Sequence, residues 1–158
     1  MSEELIGIAI AQMQDNPFDA NRRGILADMI EENDQIWQAA ALRAGRIPLT
    51  GFDSVAAYQL GNCRFAPATF DKRFARDIAS AVAQDQPSLT PRQWLWMWVL
   101  LHRYRKSVGN ANVKERAKRR YNRCIELLDV KHLKPIERRL TVPTQEGYLQ
   151  ATMFDGES

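Results

Sequence analysis

Apolar residues recur along most of this chain at intervals of three and four, the spacing that lines one face of an α-helix. Residues 3–14 place Leu5, Ile6, Ala9, Ile10 and Met13 on one side, with Glu3 and Glu4 in the first turn, where acids suit the helix dipole. Asn16-Pro17 breaks that pattern. A second helix is predicted from Asp19 to Glu32, with Ile25, Leu26, Met29 and Ile30 inward. A third runs from Asp34 to Ala44 on Ile36, Trp37, Ala40 and Ala41, and Gly45 stops it. Residues 45–52 read as a loop, followed by a short helix from Asp53 to Leu60. Asp71 caps a helix reaching about Gln84, with Phe74, Ile78 and Val82 at four-residue spacing, and residues 85–88 form a turn.

The next segment has the most explicit start. Thr90 at the N-cap, Pro91 at the first helical position and Gln93 at the third make a capping box, with proline where its missing N–H costs nothing. Trp94 to Leu101 are then apolar without interruption, leaving no polar face. A helix apolar all round is buried all round, so residues 90–106 are predicted to be the central helix. Gly109-Asn110 ends it, and a last helix runs from about Asn112 to Asp129 on a stripe of Val113, Ala117, Tyr121, Cys124 and Leu128. The fold class is all-α: about six or seven helices packed around the central one, with an extended C-terminal tail over residues 141–158.

Charge divides the same chain. Residues 1–60 carry 4 Lys+Arg against 9 Asp+Glu, a net of −5. Residues 61–140 carry 18 against 7, a net of +11, and residues 141–158 carry three acids and no base. The sign changes near the Gly, Asn and Pro of residues 61–69, the expected boundary between an acidic helical subdomain (1–60) and a basic helical core (61–140). The bias peaks between residues 103 and 123. There Arg103, Arg105, Lys106, Lys114, Arg116, Lys118, Arg119, Arg120 and Arg123 face a single acid, Glu115. An ordinary exposed helix mixes its signs. Nine bases to one acid raise the local concentration of polyanions, nucleic acid foremost. Tyr104 and Tyr121 lie within the run as candidates to stack a base, although Tyr121 falls on the apolar stripe. Lys72, Arg73 and Arg76, on one helix face, either extend the basic surface or pair internally. Zinc-finger spacing, an RNP motif and a GxxG loop are missing from the sequence, so any recognition is expected to follow the phosphate backbone and tolerate sequence.

Enzyme chemistry finds little support. The chain has no Gly-rich phosphate loop, no GxSxG and no HExxH. Cys63 and Cys124 are far apart, and with His102 and His132 they lack the paired spacing of zinc ligands. No cofactor or metal is expected. The longest apolar run is too short to span a bilayer. The acidic start, MSEEL, is unlike a signal peptide, so a cytoplasmic setting is expected.

Two local resemblances add to this. Ile10, Asn16-Pro17, Asp19, Leu26-Ala27-Asp28, Glu31-Glu32-Asn33, Ala40 and Leu42-Arg43 resemble the bacterial repeat-companion domain across residues 6–44. The resemblance implies a helical hairpin that accompanies other domains and carries no catalysis. The family has Trp-Leu where this chain has Met29-Ile30. In the tail, Gln150, Met153 and Phe154 look like the short peptide with which bacterial replication and repair proteins bind the sliding clamp. The two hydrophobics would fill an apolar pocket, and the glutamine would satisfy polar groups beside it.

The expected function is therefore a small non-enzymatic protein that binds DNA or RNA backbone, with its tail as the site that recruits a clamp or other partner, in a bacterium or phage. A protein-interaction adaptor or inhibitor, and a small accessory subunit of a larger nucleoprotein complex, are the alternatives.

Overall fold

Seven α-helices are present among residues 3–128, the residues described by the structure, a computed structural model. They are α1 (Glu3–Asp15), α2 (Ala20–Glu31), α3 (Ile36–Arg43), α4 (Gly51–Gly61), α5 (Phe70–Val82), α6 (Pro91–Arg103) and α7 (Ala111–Leu128). The protein is all-α, as its periodicity implies. Residues through Cys124 form one compact unit, and the unit that begins at Ile125 is described only for the last turn of α7. The expected clamp-binding peptide, Gln150, Met153 and Phe154, lies outside the described residues, as does His132.

Local chemistry explains where the helices start. Asp19 caps α2 by accepting from the N–H groups of Asn21 and Arg22. Thr50 and Asp53 form a reciprocal capping box on α4, as Thr90 and Gln93 do on α6. Asp53 is thus the third residue of α4 rather than its first. Asp71 is not the cap of α5: Thr69 fills that role, its hydroxyl accepting from Lys72 N–H at 3.2 Å. This frees Asp71 for contacts described below. The central helix ends at Arg103, and Arg105–Ser107 tighten into a 3₁₀ turn instead of prolonging it.

The core is α6. Every residue from Trp94 to Leu101 is buried, and Met97 to Leu101 have no exposed surface. Helices α4 and α5 pack on it. Ala56, Ala57 and Leu60 on α4, Ile78 on α5, and Val113 and Ala117 on α7 are likewise fully buried. Small alanines let neighbouring helices approach closely, leaving room for the two buried indoles Trp94 and Trp98. These meet edge to face, with ring centroids 6.3 Å apart.

The segments expected as loop and turn around residues 47 and 88 pair with each other. Ile47 and Pro48 (β1) bridge Leu89 and Ser88 (β2) in antiparallel register. Arg46 strengthens the bridge through its Nε, which donates to Ser88 Oγ at 2.7 Å. Two-residue strands carry too little pattern to be seen in sequence.

The N-terminal helices are shallower than the spacing suggests. Met13, Leu26, Ala27 and Ile30 are buried, but Leu5 is 51% exposed and Ile25 49%. On α3 the inward residues are Ala39 and Leu42, whereas Ile36 is exposed. The helix has only eight residues, so its packing against α2 sets which side faces in, and a four-residue stripe cannot override that contact.

Candidate nucleic-acid interface

The nine basic residues of the 103–123 run, on the end of α6, the 3₁₀ turn and α7, fall into an inward and an outward group. Four are drawn inward. Arg103 is mostly buried, and its Nη1 donates to Asp71 Oδ2 at 3.2 Å. The Tyr104 hydroxyl donates to the same oxygen at 2.6 Å. Burial and this carboxylate push the Tyr104 hydroxyl well above its ordinary pKa. Its ring also meets Phe65 edge-on at 4.6 Å, so Tyr104 ties α6 to α5 and offers no face for a base.

Arg120 is enclosed between aromatic rings. Its guanidinium lies 4.7 Å from the Trp94 ring centroid and 4.9 Å from that of Trp98. Its Nη2 donates to Gln14 Oε1 on α1 at 2.6 Å. Among the described residues its buried Nη1 has no hydrogen-bond acceptor. Burial lowers its pKa to about 10, helped by Arg116 and opposed by Asp53, so it stays charged at neutral pH. Asp53, the only buried charged residue among those described, is shifted the other way. Burial raises its pKa, while hydrogen bonds with Thr50 and the charge of Arg120 pull it back. Two indole faces and the Gln14 oxygen thus replace water that Arg120 gives up, and the charge of Asp53 offsets part of its desolvation.

Arg116 and Arg123 are partly engaged. Arg116 lies over the Phe52 ring of α4 at 4.8 Å. Arg123 donates from Nε to the backbone carbonyl of Asp15 at 3.0 Å and lies 3.3 Å from its carboxylate, joining α7 to the end of α1. A cavity of about 280 Å³ opens here, lined by Asp15, Trp94, Arg119, Arg120 and Arg123 among others.

Arg105, Lys106, Lys114, Lys118 and Arg119 are exposed. Lys114 and Lys118 stand one turn apart on α7. Lys118 and Arg105 converge on His102. Burial lowers the pKa of His102 first, and the two cations lower it further. The His102 ring rests on Tyr121 at 4.5 Å, which places Tyr121 within the packing rather than on a binding face. Arg119 pairs loosely with Glu115 at 3.7 Å, with both side chains mostly in water, a contact of little energetic weight.

The second basic cluster lies close to the first. Arg103 and Tyr104 hold Asp71 in the first turn of α5, so the next residues, Lys72 and Arg73, stand near the turn that carries Arg105 and Lys106. Arg73 and Arg76 are exposed, and Lys72 is half-buried.

Sequence reasoning did not identify the inward partners Asp71, Gln14, Asp15 and Phe52. It also passed over Tyr58, a 65%-exposed aromatic on α4. Cys63 and Cys124 are buried free thiols, and burial pushes Cys124 up to about 12, which disfavours its thiolate form. Among the described residues, no three His, Cys, Asp or Glu side chains gather as metal ligands. No helix among them is long and apolar enough to cross a membrane.

Compared with protein families, curated proteins and solved structures, the chain matches none. Its function is therefore inferred from its own residues.

Proposed function

We propose that this is a small non-enzymatic protein that binds the phosphate backbone of nucleic acid through Arg105, Lys106, Lys114, Lys118 and Arg119. One observation carries the reading: each of these five cations is exposed, and Glu115 is the only acid in their run. The inward arginines serve instead to fix the helix that presents them. Arg73 and Arg76 on α5 enlarge the same positive region, so a bound strand would contact α5, the 3₁₀ turn and α7. Side chains of this kind read charge and spacing rather than bases.

The test is fluorescence anisotropy of labelled single- and double-stranded DNA and RNA at low and physiological salt. Binding that weakens steeply with salt supports the proposal, because each neutralised phosphate adds about 0.7 to 0.9 to the logarithmic slope. The absence of binding even at low salt would refute it. A second reading, a protein adaptor, is favoured by the acidic α1–α2 pair, where Leu5, Ile8 and Ile25 are exposed.

A further inference from the structure

Besides Phe18 and Ile36, the exposed large apolar side chains among the described residues occur in two electrostatic settings. Leu5, Ile8 and Ile25 lie on the helices that also carry Glu3, Glu4, Asp28 and Glu31, a setting that repels a polyanion. Val55 and Tyr58 lie on α4, which exposes no carboxylate because its one acid, Asp53, is buried. Tyr58 is 65% exposed and Val55 41%. Among the described residues the Tyr58 side chain makes no hydrogen bond or ring contact.

Two contacts fix α4 beside the start of α7. The Gln59 side-chain oxygen accepts from the N–H groups of Gly109 and Asn110 at 2.9 and 3.2 Å. The Arg116 guanidinium covers Phe52. Phe52 and Gln59 are seven residues apart and share one strip of α4. At 100° per residue, Val55 occupies the adjacent strip and Tyr58 the one beyond it. The order around the helix is therefore Arg116-covered Phe52 with Gln59, then Val55, then Tyr58.

We infer that Val55 and Tyr58 form a base-stacking ledge, which makes single-stranded nucleic acid the preferred ligand of the basic face. The inference rests on the function proposed above. A strand whose phosphates reach the exposed Arg119, one turn beyond the Arg116 that covers Phe52, would turn its bases toward α4, where the phenol ring supplies a flat apolar face. Stacking of this kind tolerates any base, because every base has a π-face. A duplex keeps its bases stacked on each other and gains nothing from the ledge.

The test uses the full chain with labelled oligothymidylate, oligouridylate and a mixed-sequence DNA duplex of equal length. Tyr58→Ala should weaken single-strand binding about tenfold, the scale of one base stacked on an aromatic side chain. Duplex affinity and the salt slope should not change. Tyr58→Phe should bind like the wild type, since the ring and not the hydroxyl is used. The exposure of Tyr58 predicts a melting curve superimposable on the wild type for both variants, which separates lost binding from lost fold.

Equal single-strand affinity for Tyr58→Ala and wild type would overturn the ledge. If Lys114→Ala with Lys118→Ala still weakened binding, the phosphate-binding proposal would survive that result. An equal loss for single strand and duplex would also overturn the ledge. So would a change in self-association with nucleic-acid affinity intact, which would make α4 a protein contact. Failure of the wild type to bind any of the three probes would remove both the ledge and the proposal beneath it.

Discussion

The inner and outer sides of the 103–123 segment use the same residue types for opposite purposes. Inside, Arg103 meets Asp71, Arg120 lies between two tryptophans, and Arg123 meets Asp15. Outside, Arg105, Lys106, Lys114 and Lys118 face water. All four inner residues are arginine, and the outer five are three lysines with Arg105 and Arg119. A guanidinium is planar, weakly hydrated and able to stack, so it tolerates burial between rings. An ammonium is a strongly hydrated point charge and stays outside. A net charge summed along the sequence mixes these two populations, and only the outer one is available to a ligand.

If the inner side is structural, its substitutions should dominate stability. Trp98→Asp should have the largest effect. Losing a buried indole costs about 3–5 kcal/mol, and an unpaired buried carboxylate adds several more. The expected outcome is no cooperative thermal transition, and a wild-type melt would refute the burial of α6. Arg120→Ala should cost about 3 kcal/mol, since it strips the tryptophan faces and leaves Asp53 and Gln14 without their cation. Urea denaturation measures this, and a change below about 0.5 kcal/mol, the surface norm, would move Arg120 to the outer group. Arg103→Ala should cost less, about 1–3 kcal/mol, the cost of leaving Asp71 without its ion pair.

His102 sharpens the boundary between the two sides by its pH response. Its folded pKa lies below the ordinary 6.5 because of burial and the nearby Arg105 and Lys118. The unfolded chain therefore takes up a proton at a higher pH than the folded chain does. Stability is full above 6.5 and falls as pH drops through that value toward the folded pKa. In His102→Gln that part of the acid-side slope should disappear from denaturation curves collected between neutral and mildly acidic pH. An unaltered slope would show that His102 is not held in this cluster. The smallest expected effect belongs to the outer lysines. Lys114→Ala and Lys118→Ala should each change stability by less than about 0.5 kcal/mol.

The sequence made the fold more legible than the site. The Thr90–Pro91–Gln93 start and the apolar run to Leu101 identified the buried α6, because capping and all-round hydrophobicity are local signals. The Thr69 cap was harder to see, since Asp71 two residues later is an equally good capping type and its tertiary partners are Arg103 and Tyr104. The inner arginines were not distinguishable from the outer ones by composition. On α7, Arg116, Arg120 and Arg123 flank the Val113–Ala117–Cys124 stripe, a position that foreshadows partial burial. Their aromatic and acidic partners come from α1, α4 and α6, and long-range pairing leaves no local pattern. Tyr58 was obscure for the converse reason: exposure of one aromatic on a short helix depends on what packs beside it.

The most direct test of the division between inner and outer cations is the salt dependence of single-strand DNA binding in a variant with Lys114, Lys118 and Arg119 all changed to Ala. The account predicts a folded protein with wild-type melting and much weaker binding. It also predicts a logarithmic salt slope reduced by about 2, since each lost phosphate contact removes about 0.7. An unchanged slope and affinity in that folded variant would contradict it, and would show that the outer face of α7 is not where phosphate binds.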